Sequence, residues 1–274
     1  MAFPKLRIVI WCGNAANQKA LANKIAAEFD VAGIVIDEHT TRRKKKGLSQ
    51  LPGILLDRVR FHTIYNAWTS LMKYYNARFP VWPPVQITKV PAINDPATKR
   101  ITEELQPDLI IVSGTALIKE PLLSVKSKIG IINLHTGLSP YVKGGPNCTN
   151  WCIANNDYHL IGNTIMWLNA GIDAGNIITT ETIDVINASS LTEAHRNVME
   201  HAHDLYFRVI KYLSNSTMTF QSVPQESIDK GMLYLSKMWN TASKKKLLSN
   251  WKRRKLFSQK MSPVTVPLTV NKSE

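Results

Sequence analysis

Apolar residues along this chain fall into two alternating rhythms. Residues 6–11 (LRIVIW) form a continuous apolar run that stops at Cys-Gly-Asn; NQKALANKIAAEF then carries apolar residues at helical spacing, and a second β-branched run follows, VAGIVI at 31–36. Strand, helix and strand in this order predict a βαβ unit, whose right-handed crossover implies a parallel sheet. The buried-strand pattern returns in DLIIVSG (108–114), KIGIINLH (128–135), NTIMWLN (163–169) and NIITTETIDV (176–185), and TNWCIANN (149–156) reads as helix. LPGILLDRVRFHTIYNAWTSLMKYYNARF (51–79) predicts one or two long amphipathic helices, which PVWPPVQ stops. Pro96 opens another helix that ends near Gln106, and ALIKEPLLSVKS (116–127) has room for one or two helical turns. Farther on, Ser189 or Ser190 with Glu193 is placed for a capping box at the start of a long helix. A turn-rich MLYLSKMW (232–239) and a basic helix-like KKKLLSNWKRRKLF (244–257) follow.

This alternation predicts an α/β fold with a Rossmann-like open, mostly parallel sheet. A first unit spans 1–187 and contains a helical insertion over about 48–80; a long helix and a small extension occupy 188–274. In such a sheet the ligand crevice lies outside the carboxyl ends of the strands. Asn133 and His135 close a strand at that edge.

Composition narrows the class. The 274 residues are 44% hydrophobic and 20% charged, as in an ordinary globular protein, and no apolar run reaches the roughly 18 residues of a membrane span. A cytoplasmic location is therefore expected, with no membrane partner. Three cysteines, Cys12, Cys148 and Cys152, are too few for a disulfide framework. The formal charge of +14 admits a nucleic acid, an anionic membrane surface or phosphorylated small molecules as partners. RRKKK (42–46), KKK (244–246) and KRRK (252–255) lie at segment edges, so solubility with nonspecific affinity stands level with a dedicated polyanion site.

Side chains two apart on a strand share a face, so Asn133 and His135 are expected to project together into the crevice. Imidazole exchanges a proton near neutrality, and an amide stabilises a developing oxyanion; polar capping of a strand end is the alternative. Asp173 lies between Gly171 and Gly175 in a tight connection between two strands, where its carboxylate would favour protonated His135 or simply close an Asx turn. Cys148 and Cys152 share a helix face but lack partners at ligand spacing, so core or near-site positions are expected and no metal. His195, His201 and His203 share a helix and are expected at its surface, the HxH pair pointing its rings apart.

Taken together, NLH (133–135), GLSPYVKGG (137–145), IGNTI (161–165), GIDAGNII (171–178) and PDLIIVSG with the following ALI (107–118) resemble the folate-dependent formyltransferase family, in order and approximate separation, over roughly residues 1–185. The resemblance implies transfer of a formyl group from N10-formyltetrahydrofolate to an amine, without a metal. It places Asn133, His135 and Asp173 on the family's catalytic trio. It assigns the formyl donor to Gly114, Thr115, Ala116, Leu117 and Ile118, with Gly171 and Ile172. It makes Ser139, Tyr141, Lys143, Gly144 and Gly145 a loop over the acceptor; family members often have Arg where Lys143 stands, so an anion contact and a solvated loop lysine are equal alternatives there.

Several acceptors fit the family. The insertion, HTGLSPYVKG and GMLYLSKMW are more similar to bacterial enzymes acting on amino sugars, commonly nucleotide-linked ones used in surface polysaccharides, and a small-molecule acceptor of that kind is expected. Initiator methionyl-tRNA formyltransferases are the alternative; they lack the insertion and usually carry a C-terminal β-barrel, for which the segment after the long helix is short. Glycinamide ribonucleotide formyltransferases and a formate-releasing hydrolase are further options. A nucleic-acid-binding protein on the same scaffold is the non-enzyme alternative; RRKKK and KKK lack interleaved aromatics, which weighs against it. The aromatic-rich insertion and the long C-terminal helix are candidate homodimer surfaces.

Overall fold

The computed structural model describes residues 6–41, 51–145, 147–215, 220–257 and 261–268; the basic run 42–46 lies outside them. The apolar runs become β1 (Arg7–Gly13), β2 (Asp30–Asp37), β4 (Leu109–Ser113), β5 (Gly130–His135), β7 (Gly162–Trp167) and β8 (Ile177–Thr182), with β3 (Ile87–Val90) added between the insertion and β4. They build a seven-stranded sheet of order β3-β2-β1-β4-β5-β7-β8. The pairings from β3 through β5 are parallel, and β7 and β8 run antiparallel to β5 and to each other. The mostly parallel sheet is thus as expected, with an antiparallel end.

Both faces are covered, which is why the central strands are apolar throughout. On one face Ile8, Ile10, Ile34, Ile36, Leu109 and Ile111 pack with α1 (Ala16–Ala26) and with Ala202, Leu205 and Val209 of α6 (Leu191–Asn215). On the other, Val9, Trp11, Val35, Ile110 and Val112 meet Leu105, which follows α4 (Pro96–Glu104), and Ile118. Asp95 caps α4 by accepting from the Ala97 N–H, with Pro96 in its first turn. Tyr206 of α6 is buried, accepting from the Val112 N–H at 3.0 Å and donating to the Ile132 carbonyl at 2.8 Å, so it ties β4 to β5 beside their last register pair.

The insertion forms α2 (Leu51–Arg60) and α3 (His62–Arg78). Ile64, Ala67, Leu71 and Tyr75 bury one stripe of α3, and Tyr75 donates to Glu200 of α6, which also accepts from Lys24 of α1. The capping residues of α6 divide the work: Ser190 Oγ accepts from the Glu193 N–H, and the Glu193 carboxylate accepts from the Ser189 N–H.

Three local readings change, and the helical turn expected in 116–127 is present. β3 escaped notice because ITKV is short and half polar; its pairing with Ile34–Asp37 of β2 makes it an edge strand. The 116–127 segment holds a single 3-10 turn, Leu122–Ser124. The turn-rich 232–239 begins with a strand, β9 (Met232–Tyr234), which pairs in parallel with β6 (Val142–Gly144), so the loop after β5 is held by a distant segment. His195 and His203 are buried rather than at the surface, because α6 is covered on several sides; His201 is half-buried, bonds to Glu181, and its ring points away from His203, which contacts Lys24.

Candidate active site

A cavity of about 680 Å³ opens at the carboxyl ends of β1, β4 and β5, where strand order turns back across β1. Asn133 and His135 reach it from the end of β5, and Asp173 from the connection between β7 and β8. β7 ends beside Ile132 of β5, so the loop between β7 and β8 folds back along β5 for Asp173 to reach His135. Gly114, Thr115, Ala116, Leu117 and Ile118 line one wall, Gly171 and Ile172 another, and Gly144 and Gly145 the rim. Ser139, Tyr141 and Lys143 are not among the lining residues. Ser139 is buried beneath the loop, its N–H donating to Thr164 Oγ1; Tyr141 Oη accepts from the Val264 N–H; Lys143 sits in register with Leu233.

His135 is buried, with Nδ1 3.2 Å from Asp173 Oδ2 and Nε2 3.0 Å from the Val142 carbonyl oxygen. Both ring nitrogens face acceptors, which suits an imidazolium carrying two N–H donors. Burial alone would push its pKa down; the Asp173 carboxylate, then Cys148 and the Val142 carbonyl, more than offset this and hold it up at about 10. Cys148 Sγ lies 3.6 Å from His135 Nε2, so this thiol is a near-site residue. Asp173 Oδ2 also accepts from the Gly144 N–H at 2.9 Å, and Asn133 Nδ2 is 3.5 Å from Asp173 Oδ1, leaving the Asn133 amide loosely held and facing the cavity.

Two residues outside the sequence reading hold these groups. Gln225, which is buried, donates from Nε2 to the carbonyls of Asp173 (2.7 Å) and Gly175 (2.8 Å), clamping a connection in which Asp173 has φ +47°. Asp37, at the end of β2, accepts from the Ala116 N–H at 2.9 Å and the His39 N–H at 2.9 Å, which fixes the 114–118 wall. An acidic residue closing an apolar run was a readable signal for Asp37; Gln225 gave none, because its partners are backbone carbonyls. Gly114 has φ +66°, a left-handed conformation that favours glycine at the turn into this wall, and a Cβ there would also displace the Gln18 side chain. Asn17, Gln18, Trp68 and Tyr234 also line the cavity and were not anticipated as site residues. Among the described residues, no group of three or more His, Cys, Asp or Glu side chains is placed to hold a metal ion, and no helix is long and apolar enough to cross a membrane.

Comparison with known proteins adds lineage to this geometry. The chain is 29% identical over 203 residues to methionyl-tRNA formyltransferase of Clostridium perfringens, covering 73% of this chain and 57% of that protein. It spans little more than half the length of that relative. Among solved structures, a sugar N-formyltransferase from Shewanella superposes with a TM-score of 0.56 at 14% identity, covering 89% of this chain and 87% of that one. The N-formyltransferase of Helicobacter canadensis, crystallised with folinic acid and dTDP-3-aminofucose, gives 0.54 at 16% identity, covering 92% and 82%. These likenesses establish a shared fold. The formyl transferase family model matches residues 69–210, just over half of the sequence and the part that contributes Asn133, His135 and Asp173, and the chain belongs to the formyl transferase family.

Proposed function

We propose that the protein transfers a formyl group from N10-formyltetrahydrofolate to the amino group of a nucleotide-linked amino sugar, for surface polysaccharide synthesis. The observation that carries the reaction is the meeting of Asn133, His135 and Asp173 at one end of one cavity. The cavity suits the donor: Val112, Ile118, Met166 and Leu168 supply apolar walls, and the two wall loops present backbone groups at their edges, as a flat heterocycle requires. The donor supplies a formyl carbon open to attack by an amine.

This chain's residues then act on charge. Attack by a neutral amine makes a new C–N bond and moves negative charge onto the formyl oxygen; the Asn133 amide and the buried His135 cation offset that charge. Asp173 keeps His135 protonated, and its Oδ1, with only the distant Asn133 amide nearby, is the available acceptor for the proton the amine releases, directly or through water. That proton ends on the departing tetrahydrofolate nitrogen as the old C–N bond breaks.

The sugar acceptor is favoured by the fold shared with two sugar enzymes across about 90% of this chain, and by helix α3 of the insertion, which packs onto α1 and α6 and lines the cavity with Trp68. The second reading, methionyl-tRNA as acceptor, is favoured by the sequence match to the clostridial enzyme. Incubation with the formyl donor and either a panel of amino sugar nucleotides or charged initiator tRNA, read by mass spectrometry of the products, separates them. Formylation of tRNA alone overturns the sugar reading.

A further inference from the structure

Away from the cavity, helix α2 presents an apolar stripe to solvent. Its inner side is fixed by Asp57, which accepts from Lys244 Nζ at 2.6 Å and from Tyr65 of α3. Lys244 belongs to α7 (Thr241–Arg253), whose Leu247 and Trp251 are buried in the cluster that includes α5 (Cys148–Asn155). At about 100° per residue, Asp57 and the half-buried Ile54 face inward, and Pro52, Leu55, Leu56 and Val59 fall together on the opposite side. Leu55, Leu56 and Val59 are 65%, 68% and 64% exposed. Arg58 and Arg60 border the stripe, one on each flank, and both are exposed.

The segments that build this face carry charge of one sign. Between Glu38 and Asp95 the sequence holds ten Lys and Arg residues and a single acid, Asp57, which Lys244 engages. Between Asp229 and Glu274 it holds no acid, and Lys245, Lys246, Lys252 and Arg253 of α7 are exposed.

This combination selects a partner. Adjoining aliphatic side chains are unfavourable in water and gain free energy on entering hydrocarbon. Arginines on both borders hold their heads at anionic headgroups while their stems follow the apolar side chains inward. A nucleic acid would meet the arginines but gives the leucines nothing to enter. A second copy docked stripe to stripe would bring four arginines together with no acid on either stripe to offset them. The expectation of no membrane partner came from the lack of a spanning run, and among the described residues no helix can span; an amphipathic helix binds at the interface without spanning.

We propose that α2 seats the protein on an anionic lipid surface, with Leu55, Leu56 and Val59 entering the acyl boundary and Arg58 and Arg60 at the lipid phosphates. The seat is independent of which amine is formylated.

The test is cosedimentation of the full chain with vesicles of phosphatidylcholine alone or of phosphatidylcholine with an equal part of phosphatidylglycerol. Binding to the mixed vesicles and not to the neutral ones is expected, and it should weaken as salt is raised. The double variant Leu55→Gln, Leu56→Gln should lower vesicle affinity at least about tenfold, because each leucine withdrawn from the acyl layer removes several buried methylenes. Arg58→Gln should lower it about fivefold. All three positions are exposed, so thermal unfolding should be unchanged; where the leucine pair unfolds, Val59→Ser and Arg58→Gln carry the test. Absence of wild-type binding to the mixed vesicles overturns the seat, as does binding that the leucine pair leaves unchanged, which is attraction by charge alone. A dimer in sedimentation velocity that the leucine pair dissolves, without vesicle binding by the wild type, reassigns the stripe to a second copy and overturns the seat as well.

Discussion

Asp173 and His135 meet 3.2 Å apart, carboxylate Oδ2 to imidazole Nδ1, at the end of β5, while the other ring nitrogen faces the Val142 carbonyl at 3.0 Å. With both nitrogens engaged by acceptors, His135 is a fixed cation and not a free base. In the proposed formyl transfer its part would be positive charge in a buried site, where charge acts strongly.

Replacing Asp173 by Asn removes the largest of the groups that offset burial at His135, so its pKa falls and the cation is lost at lower pH. A loss of about 10²–10³ in kcat is expected, the size of losing one oxyanion-stabilising group. In the wild type the raised pKa works in one direction: the protonated form persists through neutrality, and rate is lost as pH rises towards about 10. The stability that the His135 cation contributes is fully present below the ordinary histidine pKa and fades over the same rise. A pH–rate profile of both proteins checks this, and a wild-type rate that grows as histidine deprotonates near neutrality overturns it.

Gln225→Ala leaves the Asp173 and Gly175 carbonyls without their side-chain donor, a cost of about 1–3 kcal/mol in stability. Because Gln225 acts through the Asp173 connection, kcat should fall about tenfold with little change in KM. Gln225→Asn, one methylene shorter, should not restore the rate. Kinetics alongside urea unfolding read both effects.

Gly144→Ala should be destabilising, by at least about 1–2 kcal/mol for the left-handed conformation alone. Gly144 has φ +85°, and a Cβ there would press into the Tyr234 carbonyl on the paired strand β9. Gly145→Ala meets open space one residue on and should leave the unfolding temperature nearly unchanged. Thermal unfolding of the two variants distinguishes a site-specific constraint from a general intolerance of the loop.

Burial pushes the pKa of His195 down to about 4, and burial followed by the Lys24 ammonium pushes His203 down to about 3. Both fold as neutral rings, so the unfolded chain takes up more protons below the ordinary histidine pKa and stability falls with pH through that window. The loss is complete only below the folded-state pKa values, where it reaches about 3 kcal/mol for His195 and about 5 kcal/mol for His203. His203→Gln should therefore flatten the loss of stability between neutral and mildly acidic pH. Urea unfolding at the two pH values measures the difference, and an unchanged slope removes His203 from the acid response.

The element order was largely readable from local pattern. Continuous apolar runs between turn residues marked β1, β2, β4, β5, β7 and β8 because both faces of that sheet are covered, and Pro96 and the Ser189–Glu193 stretch marked helix starts. The two-residue spacing of Asn133 and His135 placed them on one face of a strand end, where the cavity lies. β3 and β9 carried too few apolar residues to announce themselves; each exists through pairing with a partner far away in the chain.

Periodicity and residue type are properties of short windows, and they sufficed to define a sheet edge, a pair of polar groups on it and a glycine-flanked carboxylate suited to join them. The approach of Asp173 to His135, the grip of Gln225 on that carboxylate's backbone and the arrival of Trp68 from the insertion depend on strand order and helix packing. Those are sums of many weak contacts between distant segments. Their partners are often backbone carbonyls, which every residue possesses, so no spelling in the chain could reveal them.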